Sequence, residues 1–271
     1  MTDILPLSEL TKKTITLRKK TLRAIYCSGS AHLAGSMSSM DLLIILYFGG
    51  ILRYDPKNPN WEKRDRFILS CGHICPALYT VLAEAGYYCA PELNNLRKLG
   101  SPFQGHPDKE KLLGIETTAG SLGQGLSVAV GMALAQPKNH VFVLTSDGEQ
   151  QEGQIWEAAM AAAKFDLGNL VLIIDNNKIQ IDGKIEKIMP IESLKRKYEA
   201  FNWQVLDANG HDLRKLSFVF RRAIEAKNQP VVIIANTVAG KGVPFAEGKP
   251  EWHQKTMTEK EYQKALTNLR V

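Results

Sequence analysis

At 271 residues, 44% of them hydrophobic, the chain is long enough for one large α/β domain or two small ones. No apolar run approaches the ~20 residues needed to span a bilayer, and residues 2–16 are too polar for a signal-peptide core. Neither a membrane nor a nucleic acid is an expected partner: the +6 charge is dispersed, and the one basic cluster (Lys12 to Arg23) alternates with Leu and Ile at helical spacing, as a solvated helix face does. A modest basic excess suits anionic small molecules. Four cysteines in a chain this long make no disulfide framework, so the cytoplasm is the expected compartment.

Residues 8–26 read as a helix capped by Ser8, with Leu10, Ile15, Leu17, Leu22 and Ile25 on its apolar positions. Residues 27–39 form a loop of small residues around His32, which allows a ligand close to the backbone. A helix is expected at 40–48. A short strand at 64–70 ends in Cys71-Gly72-His73. The Cys71-Gly-His73-Ile-Cys75 segment lacks the second ligand pair of a structural zinc site. Helices are expected at 75–87 and 91–98, then a turn-rich segment holding Gly105-His106-Pro107. Gly120-Ser121-Leu122-Gly-Gln-Gly125 opens a helix to about Ala135. Its glycines suit an anion at the helix start, and equally suit close packing of helix on sheet.

The centre of the chain is residues 141–182. Val141 to Leu144 is a short apolar run, as in a strand buried on both faces. Asp147-Gly148 breaks it with turn residues. Residues 154–164 form an Ala-rich helix with Ile155, Ala158, Ala159 and Ala162 on one side. Leu170 to Ile174 is a second buried run, closed by Asp175-Asn176-Asn177. The unit is βαβ, so its strands are parallel. Ligands of such sheets sit at the carboxyl ends of strands, where Asp147 and Asn177 both fall. Two oxygen donors there suit a hard divalent cation. Beyond it, helices at 191–201 and 213–227 alternate with strands at 204–207 and 230–237. A loop through Gly240-Lys-Gly242 leads to Trp252-His253, and a last helix spans 258–269. The fold class is therefore α/β, a mostly parallel sheet with helices on both faces.

Four of the six histidines, His32, His73, His106 and His253, fall in loops. Together they make a site lined by imidazoles that can carry protons near neutral pH. His140 starts a strand and His211 precedes a helix; neither is assigned a role.

Asp147-Gly148 with the distant Asn176-Asn177 resembles the thiamine-diphosphate motif of transketolases, with Ser146 where the family usually has Gly. The segment from Ser30 through His32 to Asp41 resembles the family's first His loop, with Ala31 and Leu33 departing from its Gly-His-Pro. Residues 64–73 resemble its second His motif, Gly105-His106-Pro107 its third, Gly120 to Gly125 its glycine segment, and Trp252-His253 its last. The six stand in the family's order across nearly the whole chain.

The resemblance implies a thiamine-diphosphate-binding domain fold spanning residues 1–271. Asp147, Asn177 and the carbonyl of Ile179 would hold Mg²⁺, Ca²⁺ or Mn²⁺. Gly148, Asn177, His73 and His253 would contact the diphosphate, and Gly120, Ser121 and Leu122 the aminopyrimidine side. His32, His73, His106 and His253 would surround the substrate's hydroxyls and reacting carbons. Glu152 and Glu157 resemble carboxylates the family places at a subunit interface; the residues alone read them as a solvated first helical turn.

Full-length members continue into a pyrimidine-binding and a C-terminal domain, which the resemblance does not reach. It therefore implies an N-terminal subunit inactive alone, with a separate C-terminal subunit supplying the pyrimidine-domain Glu, as an α2β2 assembly. The implied activity is transfer of a two-carbon ketol unit from a ketose or ketose phosphate to an aldose acceptor. Two alternatives stay open: a subunit of another thiamine-diphosphate enzyme, such as a 2-oxo-acid dehydrogenase first component or deoxyxylulose-phosphate synthase, and a non-catalytic binding subunit.

Overall fold

The computed structural model describes residues 4–29 and 32–269. Ser30 and Ala31, at the start of the first histidine motif, lie outside the described residues. The chain opens with helix α1 (Leu7–Ser28), closed by Gly29 in the left-handed region, whose N–H returns to the carbonyls of Ile25 and Tyr26. Leu10, Leu17, Leu22 and Ile25 are buried, as their spacing predicts.

The small-residue loop predicted for 27–39 is in part a helix, α2 (Leu33–Ser38). Every residue of α2 is buried. Its six residues offer no amphipathic stripe, so packing rather than propensity holds it. Helix α3 (Met40–Phe48) follows and is also buried throughout.

Strand β1 (Arg66–Leu69) leads through a 3-10 turn at Gly72–Ile74 into α4 (Cys75–Ala85). The helix expected at 91–98 is only a 3-10 turn at Ala90–Asn95. Leu93 and Leu96 are buried, but Arg97 takes a positive φ, which no helix continues through. Then come α5 (Gln124–Ala135), β2 (Val141–Ser146), α6 (Gly153–Lys164) and β3 (Leu170–Asn176). A small hairpin with no counterpart among the expected elements, β4 (Ile179–Gln180) with β5 (Gly183–Lys184), runs into a single turn α7 (Ile185–Ile188). The remaining elements are α8 (Leu194–Ala200), β6 (Gln204–Asn209), α9 (Leu213–Ile224), β7 (Val231–Asn236) and α10 (Glu259–Asn268). Helix α8 begins three residues later than expected, with Ser193 as its cap. Helices α4 and α9 end short of their expected bounds, at Ala85 and Ile224.

The five long strands form one parallel sheet, ordered β1-β2-β3-β7-β6. Alternation along the central strands divides its core. Phe142, Leu144, Val171, Ile173, Val231 and Ile233 face one way, in a cluster with α3, α4 and α9. Val141, Val143, Leu170, Leu172, Ile174 and Val232 face the other, against α5, α6 and α8. With both faces covered, the strands have no polar side to show. Polar side chains therefore collect where the strands end. Among the described residues, no helix is long and apolar enough to cross a membrane.

Candidate active site

The carboxyl ends of β1, β2, β3 and β7 open onto one cavity of about 400 Å³. His32, His73, His106 and His253 all line it, brought from four separate segments. His32 caps α2 with φ of 72°, and its N–H donates to the carbonyl of His253 at 3.1 Å. The rings of His32, His73 and His253 form a triangle, with centroids 5.2, 5.5 and 5.3 Å apart. His106 approaches across Gly72, where a Cβ would stand 3.2 Å from its ring. A side chain at residue 72 would push that ring away.

Burial keeps these imidazoles neutral. It lowers His32 to about 4, helped by His253 and Arg97. It lowers His73 to about 3, helped by His253 and His32. His106 is lowered by burial and Arg97, and His253 by burial. Neutral rings each offer one donor and one acceptor. Nδ1 of His32 is buried with no hydrogen-bond partner among the described residues.

Gly148, Asn177, Ile179 and Glu152 also line the cavity. Asp147 lies just beneath, fully buried. Its carboxylate accepts from the N–H groups of Gly148, at 2.8 Å, and Lys178. Asn177 is oriented by three contacts: its Oδ1 accepts from the Ile179 N–H, and its Nδ2 donates to Ser38 and Asp175. Asp147 is pushed up to about 8 by burial and then by Asp175. A buried carboxyl in that state holds a proton where a cation's charge would serve. The donors available here, a carboxylate, an amide oxygen and a carbonyl, are hard oxygens, and they fit Mg²⁺ or Ca²⁺. Among the described residues no group of three or more His, Cys, Asp or Glu could hold a metal ion.

Gly120 and Leu122 line the cavity, whereas Ser121 faces an adjoining groove beside Gln124 and Val128. Glu157 is exposed on α6 and takes no part in the cavity. Two further acids, Asp175 in the cavity wall and Glu149 behind it, have no role in the sequence-based assignment. Glu149, fully buried, accepts from Ser70 Oγ and from the N–H groups of Gly123 (2.7 Å) and Ser146 (3.2 Å). It thereby ties three site loops together; burial raises it to about 7, against those hydrogen bonds. Asp175 accepts from Ser38, Thr237 and Asn177. An acid closing a buried strand was the available signal for Asp175; Glu149 had none, since an acid after Asp-Gly reads as solvated.

A family model described as the transketolase thiamine-diphosphate-binding domain matches residues 11–270. The chain belongs to the transketolase family. It is 41% identical over 265 residues to a 6-deoxy-6-sulfo-D-fructose transketolase subunit of a Clostridium species, covering 96% of each. It is 40% identical over 253 residues to an apulose-4-phosphate transketolase subunit of Phocaeicola vulgatus, covering 92% of this chain and 89% of that one. The solved transketolase of Campylobacter jejuni superposes with a TM-score of 0.91 at 32% identity, covering 98% of this chain and 43% of that one. This transketolase-family chain thus has the α/β fold of solved transketolases and spans less than half their length.

Proposed function

We propose that the protein is the thiamine-diphosphate-binding subunit of a two-subunit transketolase, a single domain working with a separate chain that supplies the pyrimidine-binding side. The observation that carries this reading is the convergence of four histidines and Asn177 on one cavity, with the buried Asp147 beneath it. Near full-length similarity to chains named as subunits supports the two-chain arrangement. Free cysteines, two of them buried near the cavity, support a reducing compartment such as the cytoplasm.

Asp147, Asn177 and the Ile179 carbonyl would hold the divalent cation, and Gly148, Asn177, His73 and His253 the diphosphate. Gly120 and Leu122 would lie along the aminopyrimidine side, with Ser121 turned to the adjoining groove. Once bound, thiamine diphosphate supplies the nucleophilic carbon and the electron sink for carbon–carbon cleavage. The chain's own part is to place the sugar and to manage protons. The His32 ring, in the cavity wall, would hydrogen-bond a sugar hydroxyl. A neutral imidazole of His32 or His253 would accept the hydroxyl proton as the sugar's bond breaks, and would return one to the product of the second half. The substrates are a ketose donor and an aldose acceptor, in phosphorylated or other anionic form. Glu152, at the cavity rim, and Glu157 would face another subunit.

The test is reconstitution with the transketolase partner chain, thiamine diphosphate and Mg²⁺. Transfer of a two-carbon unit from a ketose phosphate to an aldehyde is expected, with neither chain active alone. Turnover of pyruvate without turnover of any ketose would overturn the reading.

A further inference from the structure

His211 stands in the turn between β6 and α9, outside the cavity, yet it is held by both ring nitrogens. The N–H of Val238 donates to Nε2 at 2.8 Å. A backbone N–H is always a donor, so Nε2 carries the lone pair and Nδ1 the proton. Nδ1 meets Asp41 Oδ2 at 2.6 Å. The same oxygen accepts from the Arg18 guanidinium at 2.6 Å, and that nitrogen reaches the carbonyl of Met37 at 3.2 Å. An unbroken line of hydrogen bonds therefore runs from the end of α2, through Arg18, Asp41 and His211, to the backbone of Val238.

Both ends of this line belong to cavity walls. Helix α2 carries His32 at its cap and presents Ala34 and Gly35 to the cavity. The turn after β7 presents Ala239 to it. Thr237, one residue before Val238, donates to Asp175, which in turn orients Asn177. The Gly240 N–H donates to the Ala34 carbonyl at 2.9 Å. The two walls meet there, and Arg18, Asp41 and His211 clamp them from behind.

The clamp is a poor way to gain stability. The side chains of Arg18 and Asp41 are 8% and 5% exposed, and burying such a pair generally returns little beyond its desolvation cost. Arg18 Nε is buried with no partner among the described residues. The arrangement spends charged groups on position.

We propose that Arg18, Asp41 and His211 are positioning residues that set the spacing between α2 and the turn after β7, and through it the affinity of the cavity for thiamine diphosphate and its cation. The proposal rests on the cavity reading given above. The experiment compares wild type with His211→Leu and His211→Gln, each with the partner chain, by calorimetric titration of thiamine diphosphate at fixed Mg²⁺. Loss of both ring contacts in His211→Leu weakens binding about tenfold or more, the scale seen when groups behind a metal site are removed. His211→Gln, which keeps an acceptor for the Val238 N–H, recovers most of that loss. In the cofactor-free chain, amide exchange at Val238 to Gly240 quickens in His211→Leu and not in His211→Gln.

Unchanged affinity in His211→Leu with only a lowered melting temperature overturns the proposal in favour of a purely structural role. If His211→Leu does not fold, Arg18→Met carries the same test, its expected result being weakened cofactor binding. A wild-type complex that binds no thiamine diphosphate overturns the cavity reading itself, and it differs from failure of the clamp because the wild type fails, not the variant.

Discussion

Lowering the pH from 7 to 5 should cost the wild-type chain about 2 kcal/mol more stability than it costs a His73→Asn variant. His73 is held neutral by burial first and by the neighbouring His253 and His32 rings second, which bring it from 6.5 to about 3. Its folded value lies below its unfolded value, so the unfolded chain binds the extra proton. The stabilisation is present above 6.5 and is lost as the pH falls through 6.5 toward 3. Between pH 7 and 5 an unfolded histidine goes from about one-quarter to almost fully protonated, while the buried ring stays neutral. Integrated over that interval, the difference is about 2 kcal/mol. Asp147 and Glu149 act in the opposite direction, because their folded values of about 8 and 7 lie above the usual carboxylate range. Both acids are present in both proteins and cancel in the comparison. Urea unfolding of the cofactor-free chain at pH 7, 6 and 5 provides the free energies. Equal pH slopes for the two proteins would refute the argument, because His73 would then not be held neutral by its surroundings.

Asp147→Ala should weaken metal-dependent thiamine diphosphate binding at least ~100-fold, since it removes the only carboxylate among the proposed cation ligands; calorimetry with Mg²⁺ checks this. His32→Ala, in the reconstituted enzyme, should lower kcat by roughly 10²- to 10⁴-fold, as loss of a proton-transferring imidazole does, with cofactor binding little changed. Gly125→Ala should lower the melting temperature, because its Cβ would stand 2.4 Å from both Cβ and Oγ of Ser70, an overlap costing about 1–3 kcal/mol. Leu17→Ala, at a fully buried position of α1, should cost about 2–5 kcal/mol in denaturant titration without altering cofactor affinity per folded molecule.

The sheet was legible because its strands are buried on both faces and so read as unbroken apolar runs. Val141 to Leu144 and Leu170 to Ile174 needed no other signal. The histidines were legible as motifs, each next to glycine, proline or a strand end. Their depressed basicity was not, because it arises first from burial, and for His32 and His73 then from neighbouring rings, and both exist only in the folded chain. Helix α2 escapes a sequence reading because small residues give no period to follow; Arg18 and the burial of the whole segment hold it. The helix expected at 91–98 had apolar spacing at Leu93 and Leu96, but the left-handed backbone of Arg97 is set by tertiary contact and leaves no mark in the residue type. Glu149, Asp175, Asp41 and His211 share one reason for escaping notice. Polar residues are read as solvated unless a motif says otherwise; Glu149, Asp41 and His211 act from behind the walls, and Asp175 from within one.

The bond from the His32 N–H to the His253 carbonyl has a consequence for how the protein comes to exist. It joins the first histidine motif to the last, almost the full length of the chain apart. A contact so distant in sequence carries a high loop-closure cost. During synthesis the imidazole cluster cannot assemble until residue 253 has left the ribosome. The nascent chain therefore carries no competent cavity for most of its growth, and thiamine diphosphate meets only a finished one.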